Sequence, residues 1–102
     1  MKTFGLQTVQ NSDIDASAEQ ISSNTGIIGE GFYLSCPLTN AGYVYVGGSS
    51  AVATDLFTWI VGPGETKYIS LPIQVRGKFK VSALYAIAST TNQDICISWF
   101  TK

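Results

Sequence analysis

The sequence predicts an all-β fold: a single-domain antiparallel β-sandwich, jelly-roll-like, with about seven or eight strands. Three observations lead there. Runs rich in Val, Ile, Tyr, Phe and Thr recur along the whole 102-residue chain. Clusters of Gly, Asn, Ser and Pro separate these runs at short intervals. Within the runs, apolar and polar residues alternate with the period of two that a strand imposes. One domain spanning residues 1–102 is expected, because halving the chain leaves pieces too small to enclose a core.

Phe4 to Gln10 sets Phe4, Leu6 and Thr8 against Gly5, Gln7 and Val9, which predicts a strand, so that residues 1–15 make an N-terminal strand or arm. Asn11 to Ser23 fits two patterns. Ala16, Ala18, Glu19 and Gln20 suit a helical turn capped by Ser12 or Asp13, whereas Ile14, Ala16 and Ala18 fit one side of a strand; the flanking strands favour the second. Ser22 to Thr25 turns the chain into Ile27 to Leu38, where Phe32, Leu34, Cys36 and Leu38 are expected on one face. Pro37 has no amide proton, which places it at an edge or at the end of the ladder. Asn40, Ala41 and Gly42 predict a tight turn into Tyr43 to Val46, and hence a hairpin. Gly47 and Gly48 end that strand, and Ser49 to Asp55 is a loop of small residues.

Leu56 to Val61 carries bulky groups on both faces, with Phe57, Trp59 and Val61 opposing Leu56, Thr58 and Ile60. Such a strand is expected to be covered on both sides, by the core on one and by a partner on the other. Gly62-Pro63-Gly64-Glu65 is a turn. Thr66 to Val75 follows as a strand with Ile69, Leu71, Ile73 and Val75 on one face, and Gly77 separates it from Lys78 to Ser89, read as one bent strand or two. There Lys78 and Lys80 alternate with Phe79 and Val81, the pattern of a solvated edge whose amines discourage foreign strands. Thr90 to Gln93 is the last turn. Asp94 to Thr101 closes the fold, with Ile95, Ile97 and Trp99 opposite Cys96, Ser98 and Phe100.

Charge is scarce. Only 13% of residues are Asp, Glu, Lys or Arg, about half the usual fraction of roughly 25%, and Ser, Thr, Asn, Gln and Gly take their place. Hydroxyls and amides that find partners cost far less to bury than charges do, so this composition reads as a surface meant to be covered, and a homo-oligomer is expected. A net charge of −1 leaves no electrostatic footprint for nucleic acid or an anionic membrane. Met1 to Gln10 has no basic stretch followed by an apolar one, so no signal peptide is expected, and no apolar run approaches the roughly 18–20 residues that span a bilayer. Cys36 and Cys96 sit among apolar strand residues and are expected to be reduced core thiols.

The chain has no histidine, which excludes Ser-His-Asp and Cys-His machinery and histidine-based zinc sites. Neither catalysis nor a metal or cofactor is expected. Carboxylate pairs are formally available among Asp13, Asp15, Glu19, Glu30, Asp55, Glu65 and Asp94, but all except Glu30 fall in or beside turns and polar segments, where they serve solvent or local amides. Asp13 and Asp15 lack the rest of a calcium loop. Gly47-Gly48 and Gly62-Pro63-Gly64 are followed by strands, not by the helix a phosphate loop needs. The aromatic residues Tyr43, Tyr45, Phe57, Trp59, Tyr68 and Tyr85 suit either a sugar-stacking platform or a core and interface role. Interface is favoured for Phe57, Trp59, Tyr43 and Tyr45.

Asn40-Ala-Gly-Tyr-Val-Tyr-Val-Gly-Gly, then the Gly-Pro-Gly-Glu turn at 62–65, then Leu84-Tyr-Ala-Ile-Ala-Ser, resembles a pattern of small tailed-phage and prophage virion structural proteins. Ala18-Glu-Gln-Ile-Ser and the Phe32 to Leu38 strand fit it too, so the resemblance spans about residues 16–100. Leu56 to Val61 departs from it in being more aromatic. The resemblance implies a non-catalytic β-sandwich located in the virion, as a capsid decoration or cement protein, with a neck, tail or fibre component as the alternative. Its implied partners are the major capsid protein or other virion proteins and further copies of itself, with a trimer favoured. A carbohydrate-binding module is the alternative of another class.

Overall fold

The computed structural model describes residues 6–101 and is all-β, with nine strands and no α-helix among them. The strands are β1 (Leu6–Ile14), β2 (Glu19–Gln20), β3 (Ile27–Ser35), β4 (Val44–Gly47), β5 (Trp59–Val61), β6 (Thr66–Ser70), β7 (Phe79–Lys80), β8 (Tyr85–Ala88) and β9 (Gln93–Thr101). Two antiparallel sheets form. One has the order β1-β9-β3-β6, with β7 also pairing with β3; the other has the order β2-β8-β4-β5. The chain passes repeatedly from one sheet to the other, and this interleaving of two four-stranded orders is that of a jelly roll. It leaves no strand of either sheet next to its immediate sequence neighbour except β4 and β5.

The core lies between the sheets. Phe32, Leu34, Ile95, Ile97 and Trp99 come from the larger sheet and meet Val44, Val46, Val61, Ala86 and Ala88 of the smaller one. Small alanines on β8 leave room for the indole and phenyl rings opposite, as close packing requires. The alternation expected for β3 and β9 is realised up to Cys36, which is buried.

Several expected elements change. Leu38 is 83% exposed, because Pro37 ends the ladder and the inward face with it. Asn40-Ala41-Gly42 does turn the chain, but β3 and β4 belong to different sheets, so this is a corner and not a hairpin. The corner is fastened to the far end of β9. Asn40 donates from Nδ2 to the Asp94 carbonyl at 2.9 Å and accepts the Asp94 amide on Oδ1 at 2.9 Å, while Gln93 Oε1 accepts the Ala41 and Gly42 amides. Both side chains are buried, so each replaces water that the turn has lost.

Leu56 to Val61 is strand only over Trp59–Val61, at the edge of the smaller sheet, and Leu56, before the strand begins, is 62% exposed. Thr66 to Val75 stops being a strand at Ser70, where Pro72 removes a ladder donor. A single 3-10 turn at Ile73–Val75 follows and leaves Ile73 78% exposed. Lys78 to Ser89 is two strands, with a second 3-10 turn at Val81–Ala83 between them. In the ambiguous Asn11 to Ser23 stretch β1 runs on to Ile14 and β2 forms at Glu19–Gln20. Phe4 and Gly5 of the expected first strand lie outside the described residues.

Candidate functional site

Buried inner faces leave the two outer faces of the sandwich as the surfaces on which function can act. On the smaller sheet, Tyr45 of β4 pairs with Ile60 of β5 and Ile87 of β8, so these three side chains share the outer face. Phe57, from the loop before β5, sets its ring 5.0 Å from that of Tyr45 at 62°. Tyr43 is half exposed and covers Gly62, where a Cβ would meet the ring at 3.0 Å. Neither β4, β5 nor β8 contains an ionisable Asp, Glu, Lys or Arg. The result is an aromatic patch on strands that carry no charge.

Three of the four sequence-predicted interface residues, Tyr43, Tyr45 and Phe57, therefore come together on one surface. Trp59 does not join them. It points inward, edge-on to Phe32 with ring centroids 5.4 Å apart, and packs against the core. Its place is dictated by strand alternation, since Val46, its partner on β4, is an inner residue.

The larger sheet has a different outer face. Ile28 pairs with Thr101 and Phe32 with Trp99, so Gly29, Glu30 and Gly31 stand opposite Phe100 alone. Such a bulge bends the strand and re-aims its side chains. Gly77, with φ +74°, closes over it and donates its amide to the Ile28 and Gly29 carbonyls at 3.1 Å each, while Leu71 donates to the Glu30 carbonyl at 2.8 Å. Gly31 has no alternative: a Cβ there would come within 2.3 Å of the Ile69 carbonyl oxygen and 2.6 Å of the Tyr68 hydroxyl.

Above this bulge lies a cleft of about 630 Å³ lined by Tyr33, Tyr68, Phe100, Glu30, Arg76 and glycines 29, 31 and 77. Tyr33 and Tyr68 are cross-strand partners with ring centroids 4.8 Å apart at 53°. Arg76 is anchored from Nε to the Leu71 carbonyl at 2.9 Å and from Nη2 to Ser70 Oγ at 3.4 Å. Sequence reasoning did not assemble this cleft. Its signal was the Gly-x-Gly at 29–31 inside a strand pattern, which marks a bulge or a close approach of backbone.

The remaining reactive groups serve structure. Asp15 Oδ1 accepts the Asn92 amide and Glu65 Oε1 accepts the Gly62 amide, each holding a turn. Glu19 has its pKa raised by burial first and by Asp13 and Asp15 second, and its Oε1 is enclosed without a hydrogen-bond partner. Cys36 and Cys96 are both free thiols. Burial, with smaller contributions from Cys96 and Glu65, pushes the Cys36 thiol up to about 12, and burial followed by Asp94 raises Cys96. Neither is disposed to act as a thiolate nucleophile at neutral pH. Among the described residues no group of three His, Cys, Asp or Glu side chains is arranged to hold a metal, and no helix is long and apolar enough to cross a membrane. No family model, curated protein or solved structure matches this chain.

Proposed function

We propose that this protein is a non-enzymatic structural module of a virion, a capsid decoration or cement protein that acts by packing the outer face of its smaller sheet against the major capsid protein and against further copies of itself, as a trimer. The observation that carries this reading is the patch of exposed Tyr43 and Phe57 with half-buried Tyr45, Ile60 and Ile87, on strands that carry no charge. Exposed apolar surface gathered in one place on a small domain marks an interaction site, and aromatic residues free of charge are the composition of an interface centre.

The scarcity of charge, the resemblance over residues 16–100 and the jelly-roll topology, an architecture shared by viral capsid and lectin domains, support the same reading. Mechanistically, a cement protein adds buried area across seams of the assembled shell and so stabilises it by mass action. A neck, tail or fibre position is the alternative within the same class. The test is to add the purified protein to phage capsids lacking it. Saturable binding that raises the temperature at which the shells come apart, and its loss in Phe57→Asp, is the expected result. Absence of binding overturns the cement reading, and labelling found at the tail alone selects the alternative.

A further inference from the structure

We propose that the cleft on the larger sheet is a binding site for a neutral saccharide. It lies on the face opposite the proposed packing surface and does not depend on it. The lining supplies the two elements that sugar recognition needs. Exposed rings of Tyr33, Tyr68 and Phe100, 38%, 51% and 45% exposed, offer faces whose negative quadrupole attracts the C–H bonds of a pyranose. Glu30 and Arg76 supply an acceptor and a donor set, a carboxylate that takes two hydroxyl hydrogens and a guanidinium that gives to hydroxyl and ring oxygens.

Charge decides the class of ligand. One cation and one anion line the cleft, no ion pair joins them, and no hydrogen bond among the described residues engages the Glu30 carboxylate or Arg76 Nη1. A ligand of net charge gains at one of these groups what it loses at the other, whereas the hydroxyls of a neutral ring can give to the carboxylate and accept from the guanidinium together. The backbone argues against an extended peptide. The Ile28, Gly29 and Glu30 carbonyls accept from Gly77 and Leu71, and β3 is paired on both sides, so the strand that floors the cleft offers no ladder to an added strand; the free edge of the sheet lies beyond it, on β6. The volume lies within the range of small-ligand clefts, roughly 300–1,000 Å³. Anchoring of Arg76 to Leu71 and Ser70 means that this side chain loses little freedom on binding.

The test uses the full chain. Screening on an array of neutral and acidic glycans is followed by calorimetry with maltohexaose, cellohexaose, chitohexaose and the best neutral array hit, with hexagalacturonate as the acidic probe, to about 5 mM so that affinities near 1 mM register. Binding of a neutral glycan is expected, weakened about tenfold or more by Tyr68→Ala and by Arg76→Ala and unchanged by Tyr45→Ala on the other face. Thermal melts of each variant, and Tyr68→Phe, which keeps the ring and should retain most of the affinity, separate a lost contact from a lost fold. No binding by any neutral glycan, binding of acidic glycans alone, or binding that falls with Tyr45→Ala and not with Tyr68→Ala each overturns the proposal.

Discussion

The two outer faces of this sandwich carry similar numbers of exposed aromatic residues and yet differ in shape. On the smaller sheet the strands run in regular register, and Tyr45, Ile60 and Ile87 stand side by side. On the larger sheet a glycine-bounded bulge in β3 breaks the register, and the aromatic residues line a cleft that also holds Glu30 and Arg76. Flat, uncharged surfaces suit another protein surface; concave ones with a few polar groups suit a small ligand. The same residue types are directed to different ends by register and by the absence of a few Cβ atoms.

Both faces rest on one core, and the largest expected effect comes from breaking it. Phe32 is fully buried between Trp59 of the opposite sheet and Phe79, so Phe32→Ala should cost about 4 kcal/mol in urea unfolding and blur the distinction between faces. Next is the bulge itself. Gly31→Ala collides with the Ile69 carbonyl and the Tyr68 hydroxyl and should cost about 2 kcal/mol, while Gly48→Ala, which meets nothing within 4 Å, should change stability by less than about 0.5 kcal/mol. Equal effects at the two glycines would remove the steric basis of the cleft.

Asn40→Ala cuts the corner that joins the sheets and leaves the Asp94 amide and carbonyl without their partner. A loss of about 1.5 kcal/mol is expected by the same measurement. The last effect is one of pH and is confined to the alkaline range. The folded state holds Cys36 protonated, with its pKa raised from 9.0 to about 12, so its contribution is fully present below pH 9 and is lost as pH rises towards 12. The stability difference between the wild type and Cys36→Ala should narrow over that window. A difference independent of pH would show that the thiol is not the group responsible.

The fold was legible where alternation is strict. Phe32, Leu34 and Cys36 on β3 and Ile95, Ile97 and Trp99 on β9 are inner residues, as their spacing dictates, and the Gly62 to Glu65 turn is formed with Gly64 at φ +74°. What the sequence concealed is long-range. A turn such as Asn40 to Gly42 has the same composition in a hairpin and in a corner, and only the buried amides of Asn40 and Gln93, tied to a strand end more than fifty residues away, distinguish them. Of the predicted interface set, Tyr43, Tyr45 and Phe57 share one surface, whereas Trp59 turns towards the core; Leu56 to Val61 is bulky on both faces and gives no sign of which side turns inward. The cleft depends on pairing between β3, β6 and β9, which no local pattern specifies.

The patch around Tyr45 and Phe57 is proposed as a packing surface. Sedimentation equilibrium of the purified protein across a wide concentration range tests it most directly. Association of the wild type is expected, with a trimer as the limiting mass, and a monomer for Phe57→Asp whose thermal melting is otherwise preserved. A wild type that remains monomeric at the highest concentration, or a variant that associates as the wild type does, would contradict it.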